Sequence, residues 1–138
     1  QNLLGGIVIA KTISYVLSLA VGGGPTVAES GTFQADAYEL LDEVTIPPDT
    51  PTTLKVQPVE LVDLKALAIV CDNYDGDVTF TVDLVALPIA IKAPMVFIGS
   101  GALGLLGPTV NDLIFINTAE AAAKVTVLAI RDAIPEGL

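Results

Sequence analysis

Four features hold residues whose types could do chemistry. Asp72-Asn73-Tyr74-Asp75-Gly76-Asp77 gathers three carboxylates, an amide and a glycine within six positions, the raw material of a calcium loop. An EF-hand loop needs ligands at positions 1, 3 and 5, glycine at 6 and a bidentate Glu at 12. Counted from Asp72, glycine falls fifth, Tyr74 takes the third place and Asp83 the twelfth. The run therefore reads as a hairpin turn, for which Asp-Gly is a strong short-range signal, with an adventitious divalent-cation site as the alternative. Gly99-Ser100-Gly101-Ala102-Leu103-Gly104 is a literal GxGxxG. In a dinucleotide fold those glycines open a helix that holds a pyrophosphate. Here Gly107-Pro108 arrives before a second helical turn and no βαβ pattern surrounds it, so a flexible loop between strands is expected. Cys71 is the single cysteine, at the end of an apolar run where a thiol behaves as a small hydrophobe. The acidic residues scatter through turns and strand ends, and no pair has a spacing that defines acid–base geometry.

The chemistry is limited further by what is missing. Histidine is absent, which removes the commonest general base and the commonest metal ligand. One cysteine forms no internal disulfide and no thiolate metal cage. Neither a catalytic residue, a cofactor nor a metal is expected. Sixteen Asp and Glu against six Lys and Arg give a net charge of −10, with an isoelectric point near 4.1. Such a chain repels phosphate backbones and anionic membrane surfaces, so neither nucleic acid nor membrane is an expected partner. Function must rest on shape and surface.

The elements that create that surface follow from composition and period. The 138 residues are 52% apolar and 16% charged, with a mean hydropathy of +0.70. One domain of this size buries about two-thirds of its unfolded surface and forms a core without disulfides or metal. The low charged fraction leaves more apolar surface than a lone small domain needs to show water, and another protein chain is the expected cover. Ile7 to Val21 is hydrophobic enough to suggest a membrane or processed segment. Lys11 interrupts any window of about 20 apolar residues, however, and the odd positions Ile7, Ile9, Ile13, Tyr15, Leu17, Leu19 and Val21 alternate with Thr12, Ser14 and Ser18. A long strand, or two collinear ones, is predicted, ended by Gly22-Gly23-Gly24-Pro25. Further strands are predicted over 33–46 with a bulge or bend, then over 52–56, 64–71, 77–83, 87–91, 94–98, 112–117 and 124–131. A single helical turn could form around 119–123. The chain reads as one domain, 1–138, an all-β, jelly-roll-like antiparallel sandwich of about eight strands with an additional N-terminal strand. Residues 1–24 are a candidate arm exchanged with a neighbour, and the three glycines a candidate hinge.

The order of segments also resembles a family. Val44-Thr45-Ile46-Pro47-Pro48-Asp49-Thr50 enters a strand; Leu64 to Cys71 is followed by an Asp-rich turn and Val78-Thr79-Phe80-Thr81-Val82. Pro94-Met95-Val96-Phe97-Ile98, a glycine loop, Asp112-Leu113-Ile114-Phe115-Ile116-Asn117-Thr118 and Val125-Thr126-Val127 complete the pattern. Over roughly residues 30 to 132 this is similar to the jelly-roll cement, or decoration, proteins of tailed-bacteriophage capsids; the long N-terminal strand departs from it. The resemblance implies a structural protein on the virion exterior, without enzymatic activity, that binds the major capsid protein and cements neighbouring subunits. Alternatives are an adhesin or pilus-type subunit or a carbohydrate-binding sandwich, and, last, a carboxylate-dependent hydrolase. Self-association as a dimer is expected, with a trimer as the alternative. The candidate partner interface is the face carrying Ile7, Ile9, Ile13, Tyr15 and Leu17.

Overall fold

The computed structural model describes residues 10–56, 64–83, 87–107 and 109–132. Ten strands run through them: β1 (Lys11–Ala20), β2 (Thr26–Ala35), β3 (Ala37–Ile46), β4 (Thr52–Lys55), β5 (Leu64–Cys71), β6 (Val78–Val82), β7 (Ile89–Ala90), β8 (Met95–Ile98), β9 (Asp112–Asn117) and β10 (Ala123–Arg131). The last eight form two antiparallel four-stranded sheets, ordered β3-β10-β5-β8 and β4-β9-β6-β7. Successive strands cross between the sheets, except where β6 pairs directly with β7. That interleaving is a jelly-roll sandwich.

Alternation explains why these strands pair as two layers. In β6, Val78, Phe80 and Val82 are buried while Thr79 and Thr81 face outward. In β9 and β10, Leu113, Phe115, Val125, Val127 and Ala129 point the same way, into one core with Leu67 and Ile69 of β5. Phe80 and Phe115, cross-strand partners, hold their rings 5.8 Å apart at its centre. Two polar side chains lock the loops around this core. Buried Asn117 donates from Nδ2 to the carbonyls of Ile46 and Ala121 and accepts from the Ala119 N–H. The Asp83 carboxylate accepts from the N–H groups of Asn111 and Asp112 and from the Thr109 hydroxyl.

Three local expectations are corrected. The stretch 33–46 is not one strand: it breaks at Asp36 between β2 and β3. A bulge follows, because Asp42 and Glu43 lie between the Leu41–Val127 and Val44–Val125 pairs and face Thr126 alone. Glu43 adopts a φ of 47°, and its N–H bonds the Thr126 hydroxyl, which in turn donates to Asp42. The bulge moves the apolar residues from the outer face (Tyr38, Leu40) to the inner one (Leu41, Val44, Ile46). The glycine loop is partly helical: α1 (Gly99–Leu103) runs into a 3-10 turn (Gly104–Leu106) that buries Leu103 and Leu106. No helical turn forms over 119–123. The Asn117 amide bonds Ala119 and Ala121 directly, and Ala123 is already the first inward residue of β10.

The largest difference lies at the N-terminal end. β1 pairs in full register with β2, from Lys11–Ala35 to Ala20–Thr26, as a hairpin separate from both sheets. Gly22-Gly23-Gly24 is therefore the tip of that hairpin and not a hinge at its root. The Val21 N–H bonds the Pro25 carbonyl, the Gly24 N–H bonds the Val21 carbonyl, and Gly23 takes a φ of 71°. At ten residues per strand the hairpin is roughly 34 Å long.

Candidate interaction surface

The segments with chemical potential are absorbed by the scaffold. Asp72 to Asp77 is the β5–β6 turn but closes no hairpin, because it crosses between the sheets, β5 pairing with β10 and β8 and β6 with β9 and β7. Within it Asn73 Oδ1 accepts from the Asp75 N–H, Asn73 Nδ2 donates to Asp77, and Gly76 supplies a φ of 97°. Asp72 accepts from the Lys124 N–H and so ties this turn to β10. Among the described residues no three His, Cys, Asp or Glu side chains gather as a metal site. Cys71 is buried, and burial foremost, with the neighbouring Asp72 charge, pushes its thiol above its ordinary range despite a bond from the Asn73 N–H. The GxGxxG lies in α1 and the following turn, a helix only five residues long. No helix among the described residues is long and apolar enough to cross a membrane.

The surface is distinctive where the hairpin meets the body. Register assigns the hairpin two unlike faces. One carries Ile13 opposite Phe33, Tyr15 opposite Gly31, Leu17 opposite Glu29 and Leu19 opposite Val27; the other carries Thr12–Gln34, Ser14–Thr32, Val16–Ser30 and Ser18–Ala28. Only the base of the apolar face is covered. Ile13, Phe33 and Ala35 pack on Ala66, Ile98, Leu128 and Ile130, the outer face of the β3-β10-β5-β8 sheet. Lys65 fastens this joint, donating to the Gln34 carbonyl and pairing with Asp132. Tyr15 lies over Gly31, where even a Cβ would come within 2.6 Å of the tyrosine oxygen, and its ring meets Phe33 at 6.5 Å. Beyond that pair the contacts stop: every residue from 16 to 30 is exposed. Leu19 shows 81% of its surface and Val27, its partner, 75%.

The two outer faces of the sandwich differ in the same sense. On the β4-β9-β6-β7 sheet the outward positions include Thr53, Thr79, Thr81 and a Lys55–Asp112 ion pair beside Ile114 and Ile116. That is the polar face an antiparallel sheet normally turns to water. On the other sheet, pairing lines up Tyr38–Ile130–Ala66–Ile98 in one row and Leu40–Leu128–Ala68–Val96 in the next. Ile130, Ala66 and Ile98 of the first row and Leu128 of the second lie under the hairpin base, whereas Tyr38, Leu40 and Val96, on the two edge strands, are each about half exposed (55%, 52% and 51%).

Of the five interface candidates, Ile7 and Ile9 lie outside the described residues. Ile13 and Tyr15 share a face, as their spacing implied, but are half-buried against their own chain; Leu17 is exposed. Val27, Leu40 and Val96 were not read as surface residues from sequence. Glu29, Gly31 and Pro25 hide the strand character of β2, and in β3 and β8 the outward apolar residues look like any others. Fold and surface together define a jelly-roll β-sandwich that carries an amphipathic hairpin arm. No family model, curated protein or solved structure matches the chain.

Proposed function

We propose that this chain is a non-enzymatic structural protein of a bacteriophage virion, a cement protein that binds the capsid exterior and joins neighbouring major capsid protein subunits. The observation that carries this reading is the arm: a hairpin roughly 34 Å long whose apolar face is uncovered over its outer half. A two-stranded hairpin is marginal in water by itself, so such an arm acquires its order by lying on another protein. The body supports the same reading. A jelly roll is a compact brick, its chain lacks histidine, and a net charge of −10 keeps it from packaged nucleic acid.

The test is co-sedimentation of the purified protein with empty capsids. Saturable binding at a fixed copy number per shell subunit, with increased resistance of the shell to heat or denaturant, is the expected result. Capsids that pellet without it, or saturable binding to glycans in solution, overturn the reading in favour of an adhesin or sugar-binding module.

A further inference from the structure

We propose that the apolar face of the arm docks on the outer β3-β10-β5-β8 face of a second copy of this chain, so that each copy in a closed assembly gives one arm and receives one. Three observations select this occupant. The arm base already lies on that sheet, with Ile13 and Phe33 packed on Ile130 and Ala66, and the next row over, Leu40–Leu128–Ala68–Val96, has its two ends Leu40 and Val96 half exposed. The same apolar surface thus continues past the contact that the chain makes with itself.

The areas match what a stable assembly needs. Leu17, Leu19, Val21 and Val27 on the arm, with Tyr38, Leu40, Val70 and Val96 on the sheet, are 42 to 81% exposed. Covering them all removes roughly 700–800 Å² per copy, close to the typical contribution of one partner to a specific interface. Charge is compatible as well. Glu29 is the one charged residue on the outer half of the apolar arm face. Lys124, on the outer side of β10, makes no ion pair among the described residues. A copy-to-copy contact supplies each with an opposite charge.

The inference concerns the free protein and shares the arm with the capsid reading: it makes a second copy, and not the shell, the cover of the arm's apolar face. Sedimentation equilibrium of the full chain at about 10–100 µM is expected to give the mass of a dimer or a larger closed ring. Leu19→Asp on the arm and Leu40→Asp on the sheet each place a charge in the contact without touching the core. Each is expected to weaken self-association at least about tenfold while circular dichroism stays unchanged. Mixing the two variants is the decisive arm, because an intact arm then meets an intact face, and mixed assemblies are expected that neither variant forms alone. A wild-type monomer over the whole range overturns the inference. So does a Leu40→Asp variant that assembles like wild type, which would mean that arms pair with arms. Capsid co-sedimentation is a separate measurement, so failure of one reading is told apart from failure of the other.

Discussion

The body and the arm are made from one kind of strand and end in opposite states. In β6 and β10 every second residue is apolar and is covered by the facing sheet, down to zero exposure for Phe80, Val125 and Val127. In β1 the alternation is as regular, and β2 adds Val27 and Phe33 to the same face, yet the covering layer reaches only the Ile13–Phe33 end, and Leu19 and Val27 stand in water. The polar faces differ too. In the body, the buried Asn117 amide is saturated by backbone, while on the arm Gln34 and Thr12 simply bond each other in the open. Alternation therefore states that a strand has a face to bury. What buries it is a property of the neighbours, and for the outer arm the described residues do not provide one.

Breaking the body is expected to have the largest effects. Phe115→Ala removes a fully buried ring packed at a tilt against Phe80 and is expected to cost about 3–5 kcal/mol, read from urea denaturation of the whole chain. Asn117→Ala strands the Ile46 and Ala121 carbonyls and the Ala119 N–H and is expected to cost roughly 2–3 kcal/mol in the same measurement. If that loss were under half a kilocalorie, the amide would not be the lock assigned to it.

Smaller changes sharpen the contrast. Tyr15→Ala takes away the ring over Gly31 and its contact with Phe33. Hydrogen exchange in β1 and β2 is expected to speed up by a factor that corresponds to about 1 kcal/mol, with the urea midpoint of the body unmoved. A joint shift of both would show that arm and body unfold as one unit. The least effect is alkaline. The Cys71 thiol titrates above its ordinary value in the fold, so the stability it contributes is complete below that ordinary value and declines as pH rises through the folded one. Between pH 7 and 10 the wild type is expected to lose slightly more stability than Cys71→Ala, and its thiol to resist maleimide until the chain unfolds.

Legibility in the sequence follows the range of the forces involved. Strands β5, β6, β9 and β10 were readable because their apolar alternation and their bounding turns are local; the Asp-Gly run after Cys71 is a turn, as its residues imply, but it carries the chain to the other sheet instead of closing a hairpin, which only the strand pairing decides. Strand β2 was not. Glu29, Gly31 and Pro25 argue against a strand locally, and only pairing with β1, which sets Tyr15 across the bare Gly31, holds it extended. The bulge at Asp42–Glu43 was visible as a change of phase, but not its bonds to Thr126, 83 and 84 positions away. The helical start of the glycine loop depends on core contacts of Leu103 and Leu106 that the glycines conceal.

What the sequence by itself determined is the all-β character, the near-total reliance on packing in a chain without histidine and with one thiol, the acidic charge, and an N-terminal strand with one apolar side. These are matters of residue type and of periods two positions long. Only the tertiary structure decided that this strand folds back on β2 instead of entering the sandwich, and that its glycines form a tip. It also decided that Leu40 and Val96, from strands at opposite edges of one sheet, line up through Leu128 and Ala68 as an apolar row whose two ends stay exposed. The physical reason is that a side chain's periodicity is encoded locally. Which surface it meets depends on the register of strands as distant in the chain as β3 and β10, where Ala37 pairs with Arg131, and no window of sequence contains that.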